Sequence, residues 1–270
     1  MGERLKTPIT STANPRIAAA VKLAERKERQ QQGRFLVEGL QALHMALDAG
    51  WEPVEVFFCE TLFTGTAAPE LLARFAQTPA TLVPVAPHVL ERLSEREVPQ
   101  GIVASFALRH YRLEDLVWRD PALIVVLDRI RDPGNLGTLL RTADAVGAAA
   151  LLLLPPAVDP FDPRAVRASM GSLFNLPLVV ADDGRRALQQ LRARDLRLLG
   201  ADAHRGVAWG TGLWQGSLAL VLGNEAQGLA PDLLSLITDW VHLPMYGKAD
   251  SLNVAVAGGV LMYAWRQANP

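Results

Sequence analysis

Cysteine is nearly missing from this sequence. Cys59 stands alone, so no internal disulfide and no zinc ribbon can form, and its place at the end of an apolar stretch reads as core. Histidine is sparse too: His44, His88, His110, His204 and His242 are scattered without metal-ligand spacing, and no metal is expected. No apolar run is long enough to span a bilayer; the longest, around 148–154 and 123–127, have strand length, so no membrane partner is expected. The opening residues are polar and basic rather than basic then apolar, unlike a secretory leader, and a cytoplasmic protein is expected. A GxGxxG turn and a Walker lysine–serine pair are both lacking, which argues against a dinucleotide-dependent oxidoreductase and weakens any nucleotide-phosphate reading. Net positive charge is lacking as well. The formal charge is −1 at pH 7, so no global polycation exists to hold nucleic acid.

What is present is a soluble globular balance, half hydrophobic and one fifth charged, over 270 residues, enough for two cores. Charge is unevenly placed. Residues 1–34 hold eight basic side chains (Arg4, Lys6, Arg16, Lys22, Arg26, Lys27, Arg29, Arg34) against Glu3, Glu25 and Glu28, an excess of five. Such an element suits a polyanion, although a solvated helix face would look the same. Asn14 to Gln32 reads as one basic helix with Asn14 as cap, Pro15 at its first position, and Ile17, Val21 and Ala24 as its buried stripe. Short strands and helices then alternate to residue 108, giving a small α/β domain. The charged stretch 109–120 reads as a linker. From residue 121 to 270, near-continuous apolar runs such as PALIVVLD and AAALLLLP signal buried parallel strands wrapped by helices.

Three loops at strand ends carry most of the glycine, asparagine and charge of this second part: 127–148, 221–229 and 243–257. Ligands of open α/β sheets bind at such ends. In the first, Asn135 is placed to cap a helix, and Arg141 six positions on cannot share its face by the i,i+4 rule. Taken alone, Arg141 reads equally as a partly buried ion-pair residue. In the second, Gly223 at a strand terminus would let a flat ligand lie against the backbone, with Glu225 closing the loop or orienting an arginine. In the third, Asp250 or Ser251 is expected to cap the final helix, Gly258-Gly259 implies close packing, and Asn253 is either a capping amide or a functional one.

Together these stretches, DPGNLGTLLRTADAVGA, LVLGNEAQGL and LPMYGKADSLNVAVAGG, resemble the three motifs of the SpoU (TrmH) family of RNA ribose 2′-O-methyltransferases, of the SPOUT class. The resemblance covers 121–270. NPRIAAAVKLAERKERQQQGRFLVEG and QGIVA look like the ribosomal-protein-like RNA-binding domain often fused to it, over 1–108. Motif two departs slightly, reading GNEAQG where many members have a serine and a second glycine. The resemblance implies a deep C-terminal trefoil knot, S-adenosylmethionine as cofactor, and a homodimer through the knotted domain with the final helix in its interface. It implies cofactor contacts at Leu222, Gly223, Leu243, Met245, Leu252 and Asn253. Arg141, Asn135, Glu225, Ser251 and Asn253 are the implied catalytic set, with Arg141 acting across the interface, and Arg16, Lys22, Arg26, Lys27, Arg29 and Arg34 the implied RNA contacts. The expected partner is RNA, ribosomal ahead of transfer RNA, and not DNA, since the acceptor is a 2′-hydroxyl. A non-catalytic RNA-binding protein on the same fold is the rival reading.

Overall fold

A computed structural model describes residues 4–5, 7–210 and 212–270; Glu3 and Lys6, counted above in the basic stretch, lie outside them. The chain divides into two compact units, Met1–Arg109 with Phe161–Asn175, and His110–Pro160 with Leu176–Pro270.

The first unit begins with helix α1 (Pro15–Val21), capped by the Asn14 side chain on Arg16 N. The single helix expected over 14–32 is in fact broken. A 3-10 turn at Lys22–Ala24 and an extended Glu25 separate α1 from α2 (Arg26–Gln32). Arg29 sustains the break: it is 2% exposed, and its Nη1 donates to the carbonyls of Leu23 and Ala24, both at 2.8 Å, which the interrupted ladder leaves free. The buried stripe consequently runs Ile17, Ala20, Leu23, while Ala24 is exposed. Then follow β1 (Arg34–Glu38), α3 (Leu40–Asp48), β2 (Pro53–Phe58), α4 (Ala67–Phe75), β3 (Thr81–Pro84), α5 (Pro87–Leu93) and β4 (Ile102–Ala107). The sheet order is β1-β4-β2-β3, with β4 antiparallel to both neighbours and β2 parallel to β3.

The second unit contributes β5 (Leu123–Asp128), α6 (Pro133–Ala145) and β6 (Ala150–Leu154). Helix α7 (Pro163–Ala168) falls within 121–270 but clusters with the first unit. Aromatic packing explains it: Phe161 lies 4.8 Å from Phe35 and Phe174 5.5 Å from Phe106, centroid to centroid, and Trp51 Nε1 donates to Phe174 O at 3.1 Å. The second unit resumes with β7 (Leu178–Val180), α8 (Gly184–Arg192), β8 (Arg197–Ala201), β9 (Val207–Ala208), β10 (Leu218–Leu222), β11 (Asp239–His242) and α9 (Val254–Ala268). Between β10 and β11 the chain makes a 3-10 turn at Leu234–Leu236. The stretch 109–120 is no free linker: Leu113 and Leu116 are buried in the second unit's core, and Arg194 donates to both their carbonyls.

All pairs in the seven-stranded sheet, order β7-β6-β5-β10-β8-β11-β9, are parallel. β5, β6 and β10 are buried at every position, which is why their sequences are unbroken apolar runs rather than alternating ones. Register aligns Leu127, Leu222 and Ala201 across β5, β10 and β8, with Val241 of β11 beside Ala201. The loops after these four strands therefore leave from one edge. Among the described residues no helix is long and apolar enough to cross a membrane.

Candidate active site

Asp132, not Asn135, caps α6: its Oδ1 accepts from Asn135 N at 2.8 Å, and Pro133 takes the first helical position. Asn135 thus sits inside the first turn with its side chain free of capping duty. Its Nδ2 donates to Glu225 Oε1 at 2.9 Å, and its Oδ1 accepts from Asn253 Nδ2 at 3.0 Å. Asn253, rather than Asp250 or Ser251, caps α9, its Oδ1 accepting from Ala255 N at 2.8 Å and Val256 N at 3.3 Å. This fixes the direction of the chain of amides. The Asn253 oxygen is committed to helix N–H groups, so its nitrogen must donate to Asn135, whose nitrogen then donates to the carboxylate. All three strand-end loops meet in this relay. Glu225 is held from its other oxygen by Asn224 Nδ2 at 3.3 Å.

Arg141 does not join the relay. It is exposed on α6, and no hydrogen bond or ion pair to another described residue holds its guanidinium. The packing of α6 on α9 explains one of the two glycines. A Cβ at Gly258 would lie 2.7 Å from Leu139 Cδ2 and from Leu222 Cδ1, whereas one at Gly259 meets nothing nearer than Thr142 Cγ2 at 3.8 Å.

Sequence reasoning missed the group that shapes the second loop. Asp128, 1% exposed at the end of β5, accepts from Ala230 N at 2.7 Å and Arg129 Nε at 3.2 Å. Burial pushes its carboxyl above the usual aspartate range, and those two donors hold the rise back. Arg129, at φ 56°, reaches Gln227 Oε1 and Gly228 O, while Asn224 Nδ2 donates back to Arg129 O. The available signal was an acid ending a wholly apolar strand. Gly223 also serves the second loop itself. A Cβ there would lie 2.6 Å from Leu229 N and closer still to Gly228 C, so its missing side chain makes room for the loop's own return.

At the ends of β8, β10 and β11 lies a cleft of about 340 Å³. Leu222, Gly223, Leu243, Met245 and Leu252 line it, as do Ser251 and Glu225. Asn135, Arg141 and Asn253 are not among its lining residues, Asn253 standing at its border in the relay. The loop after β8 adds Asp202 and His204, and β11 adds His242, none singled out from sequence. His242 Nδ1 is buried with no hydrogen-bond partner among the described residues. No group of side chains that could hold a metal ion occurs among the described residues.

Residues 122–263 match the model of the SpoU rRNA methylase family, and residues 14–104 that of an MRM3-like substrate-binding domain. The chain belongs to the SpoU rRNA methylase family. It is similar to an AdoMet-bound rRNA methyltransferase from Sinorhizobium meliloti, with 31% identity, TM-score 0.88 and 97% of each chain covered. The AdoMet complex of the SpoU methyltransferase AviRb from Streptomyces viridochromogenes shows 30% identity and TM-score 0.86 over 95% of this chain and 98% of that one. Among curated relatives, the 23S rRNA (guanosine(2553)-2′-O)-methyltransferase RlmP of Bacillus subtilis is 32% identical, with 96% of this chain and 98% of that protein covered.

In the first unit of this SpoU-family chain, the six basic residues expected to touch RNA separate into three kinds. Arg29 is withdrawn from that list, because it is buried and spent on the carbonyls of Leu23 and Ala24. Arg16 Nε and Arg34 Nη1 both pair with Glu55, the first at 3.1 Å. Lys22, Arg26 and Lys27 are exposed.

Proposed function

We propose that this SpoU-family enzyme methylates a ribose 2′-hydroxyl of ribosomal RNA, with residues 121–270 performing the chemistry and 1–108 holding the RNA. It is an RNA ribose 2′-O-methyltransferase, and S-adenosylmethionine is its cofactor. The observation that carries this reading is the Asn253–Asn135–Glu225 relay bordering the cleft at the strand ends. The cleft suits the cofactor: Leu222, Leu243, Met245 and Leu252 offer apolar wall for a flat ring, and Asp202 and Glu225 offset positive charge. When bound, S-adenosylmethionine supplies an electrophilic methyl group on a sulfonium.

The chain's own work is alignment and charge. Fixing an acceptor oxygen in line for displacement is worth roughly 7–11 kcal/mol. Arg141 acts by stabilising the developing alkoxide and steadying the RNA phosphate. Asn135, Glu225, Ser251 and Asn253 orient the acceptor side, and Leu222, Gly223, Leu243, Met245, Leu252 and Asn253 hold the cofactor. Arg141 stands apart from its own chain's relay, which favours its acting across a homodimer interface. The exposed apolar face of α9, with Val256 54%, Val260 38% and Tyr263 55% exposed, supplies that interface. The fold reading includes a deep trefoil knot at the C-terminal segment, and a cytoplasmic site of action follows from a ribosomal substrate. Lys22, Arg26 and Lys27 grip RNA phosphate, and the demand for a 2′-hydroxyl excludes DNA.

The test is transfer of labelled methyl from S-adenosylmethionine into 23S ribosomal RNA isolated from cells lacking the gene, with ribose methylation mapped by nucleotide. One ribose regaining its methyl group is the expected result. No cofactor uptake by calorimetry, or no labelled RNA, overturns the proposal.

A further inference from the structure

The first unit contains a second cavity, remote in sequence from the three loops. It measures about 220 Å³, room for about seven waters at liquid volume, below the size of pockets that take drug-sized ligands. Leu36, Leu93, Val103 and Val166 give it an apolar interior, and Val21, which ends α1, and Ala24, which ends the 3-10 turn, add to its wall. Val37 and Pro163 are apolar as well, and the rest of its lining is charged or polar: Arg92 and Arg167, Glu38 and Glu95, and Ser94, which donates to the Glu38 carboxylate. Arg167 Nη1 lies 3.4 Å from Glu95 Oε2, while the exposed Arg92 has no hydrogen bond or ion pair to another described residue.

The helix break is what creates this arrangement. An unbroken helix over 14–32 would turn Val21 and Ala24 inward with Ile17. The turn held by Arg29 instead leaves Ala24 exposed on the cavity wall. Lys22 stands between Val21 and Ala24 in the chain, and Arg26 and Lys27 follow after Glu25; all four charged residues are exposed. An apolar hollow of single-ring size, with Arg92 and Arg167 as well as Glu38 and Glu95 in its lining, and with the exposed Lys22, Arg26 and Lys27 close in sequence to its Val21 and Ala24 wall, matches a particular chemistry. RNA-binding proteins splay unpaired bases out of a strand, bury them against apolar or guanidinium surfaces, and hold the adjoining phosphates with Lys and Arg.

Resting on the RNA substrate read above, we propose that this cavity receives one unpaired nucleobase of that RNA, with Arg92, Arg167, Lys22, Arg26 and Lys27 on the phosphates beside it. Binding of unmethylated 23S ribosomal RNA by the full-length protein tests it at several salt concentrations. Ala24→Trp, which fills the mouth without altering charge, lowers affinity about tenfold, the effect of losing one stacked base, and leaves the salt slope unchanged. Arg92→Ala weakens binding and makes the slope shallower by about one. Ultraviolet crosslinking of the wild-type protein to the same RNA places crosslinked peptides at Leu36–Glu38 or Leu93–Glu95, a readout independent of whether the tryptophan variant folds. Affinity of a folded Ala24→Trp within about twofold of wild type, or crosslinks elsewhere in the unit and none at these peptides, overturns the proposal. If wild type itself neither binds this RNA nor methylates it, the functional reading fails instead.

Discussion

Asn253 divides its amide between two tasks: the oxygen caps α9, and the nitrogen holds Asn135, a residue 118 positions earlier in the chain. The two tasks are separable by substitution. In Asn253→Asp the carboxylate caps at least as well as an amide, so thermal stability stays close to wild type. It cannot donate, however, and sets an anion against the Asn135 oxygen beside Glu225. Single-turnover methyl transfer should fall about 100-fold, the scale for a misdirected oriented dipole. In Asn253→Ala, transfer falls and about 1 kcal/mol of stability is lost with the cap. Equal rates for Asn253→Asp and wild type would show that the relay orients nothing.

The glycine pair in α9 makes a second prediction, because its members are not equivalent. Alanine gains about 1 kcal/mol over glycine in a helix interior. At 258 this gain meets the Leu139 and Leu222 methyl groups at 2.7 Å, an overpacking that costs about 1–3 kcal/mol. At 259 the nearest atom is at ordinary contact distance. Gly259→Ala should therefore exceed Gly258→Ala in unfolding free energy by at least about 1 kcal/mol, and cofactor affinity should drop only at 258, where Leu222 lines the cleft. Indistinguishable denaturation midpoints would contradict the packing described.

Basic residues of the first unit should behave oppositely in binding and stability. Arg29→Ala strands the carbonyls of Leu23 and Ala24 at the helix break, costing about 1–3 kcal/mol of stability. Lys27→Ala, at an exposed position, should leave the melting temperature within error and reduce the salt slope of RNA binding by about one. A reversal, with Arg29→Ala stable and Lys27→Ala unstable, would mean the break is held by something else.

Much of this arrangement was legible in the chain and some was hidden for definite reasons. Unbroken apolar runs gave away β5, β6 and β10, since a strand covered on both faces needs no polar alternation. The loops that converge were found because asparagine and glycine collect where strands end. Which amide caps which helix was not readable, as Asp132, Asn135, Asp250, Ser251 and Asn253 are all competent caps and only tertiary partners decide among them. The break between α1 and α2 was invisible because Lys22 to Gln32 are good helix formers, and the guanidinium that stabilises the interruption comes from inside the same basic run. Packing of Phe161–Asn175 with the first unit depends on aromatic contacts to Phe35, Trp51 and Phe106, over a hundred residues earlier for Trp51, and local pattern carries no trace of it.

Arg141 yields a fourth prediction. A guanidinium keeps its proton across the accessible range, so if it acts by charge alone, the single-turnover rate should show no inflection from mildly acidic to strongly basic pH. Arg141→Lys retains the charge but not the planar fork, and should lower the rate at every pH by a similar factor. An inflection near neutrality that disappears in Arg141→Lys would instead make this side chain, or a group it controls, a titrating participant.

Asp128 allows the last prediction to be read from a slope. Burial raises its carboxyl above the unfolded value, so in the window between the two the folded chain binds the extra proton. Its contribution to stability is then greatest at acid pH and is lost as pH rises through the folded value. A neutral amide at this position has no such window. In Asp128→Asn the amide oxygen can still accept from Ala230 N, while the ion pair with Arg129 is lost, so the absolute change at one pH mixes two effects. The pH dependence of the difference does not. As pH rises from about 4, the ordinary aspartate value, the melting temperature of Asp128→Asn relative to wild type should move upward. A difference that stays flat, or moves downward, would show that donors from Ala230 and Arg129 outweigh burial, and that the second loop is anchored by a carboxylate with no penalty for its charge.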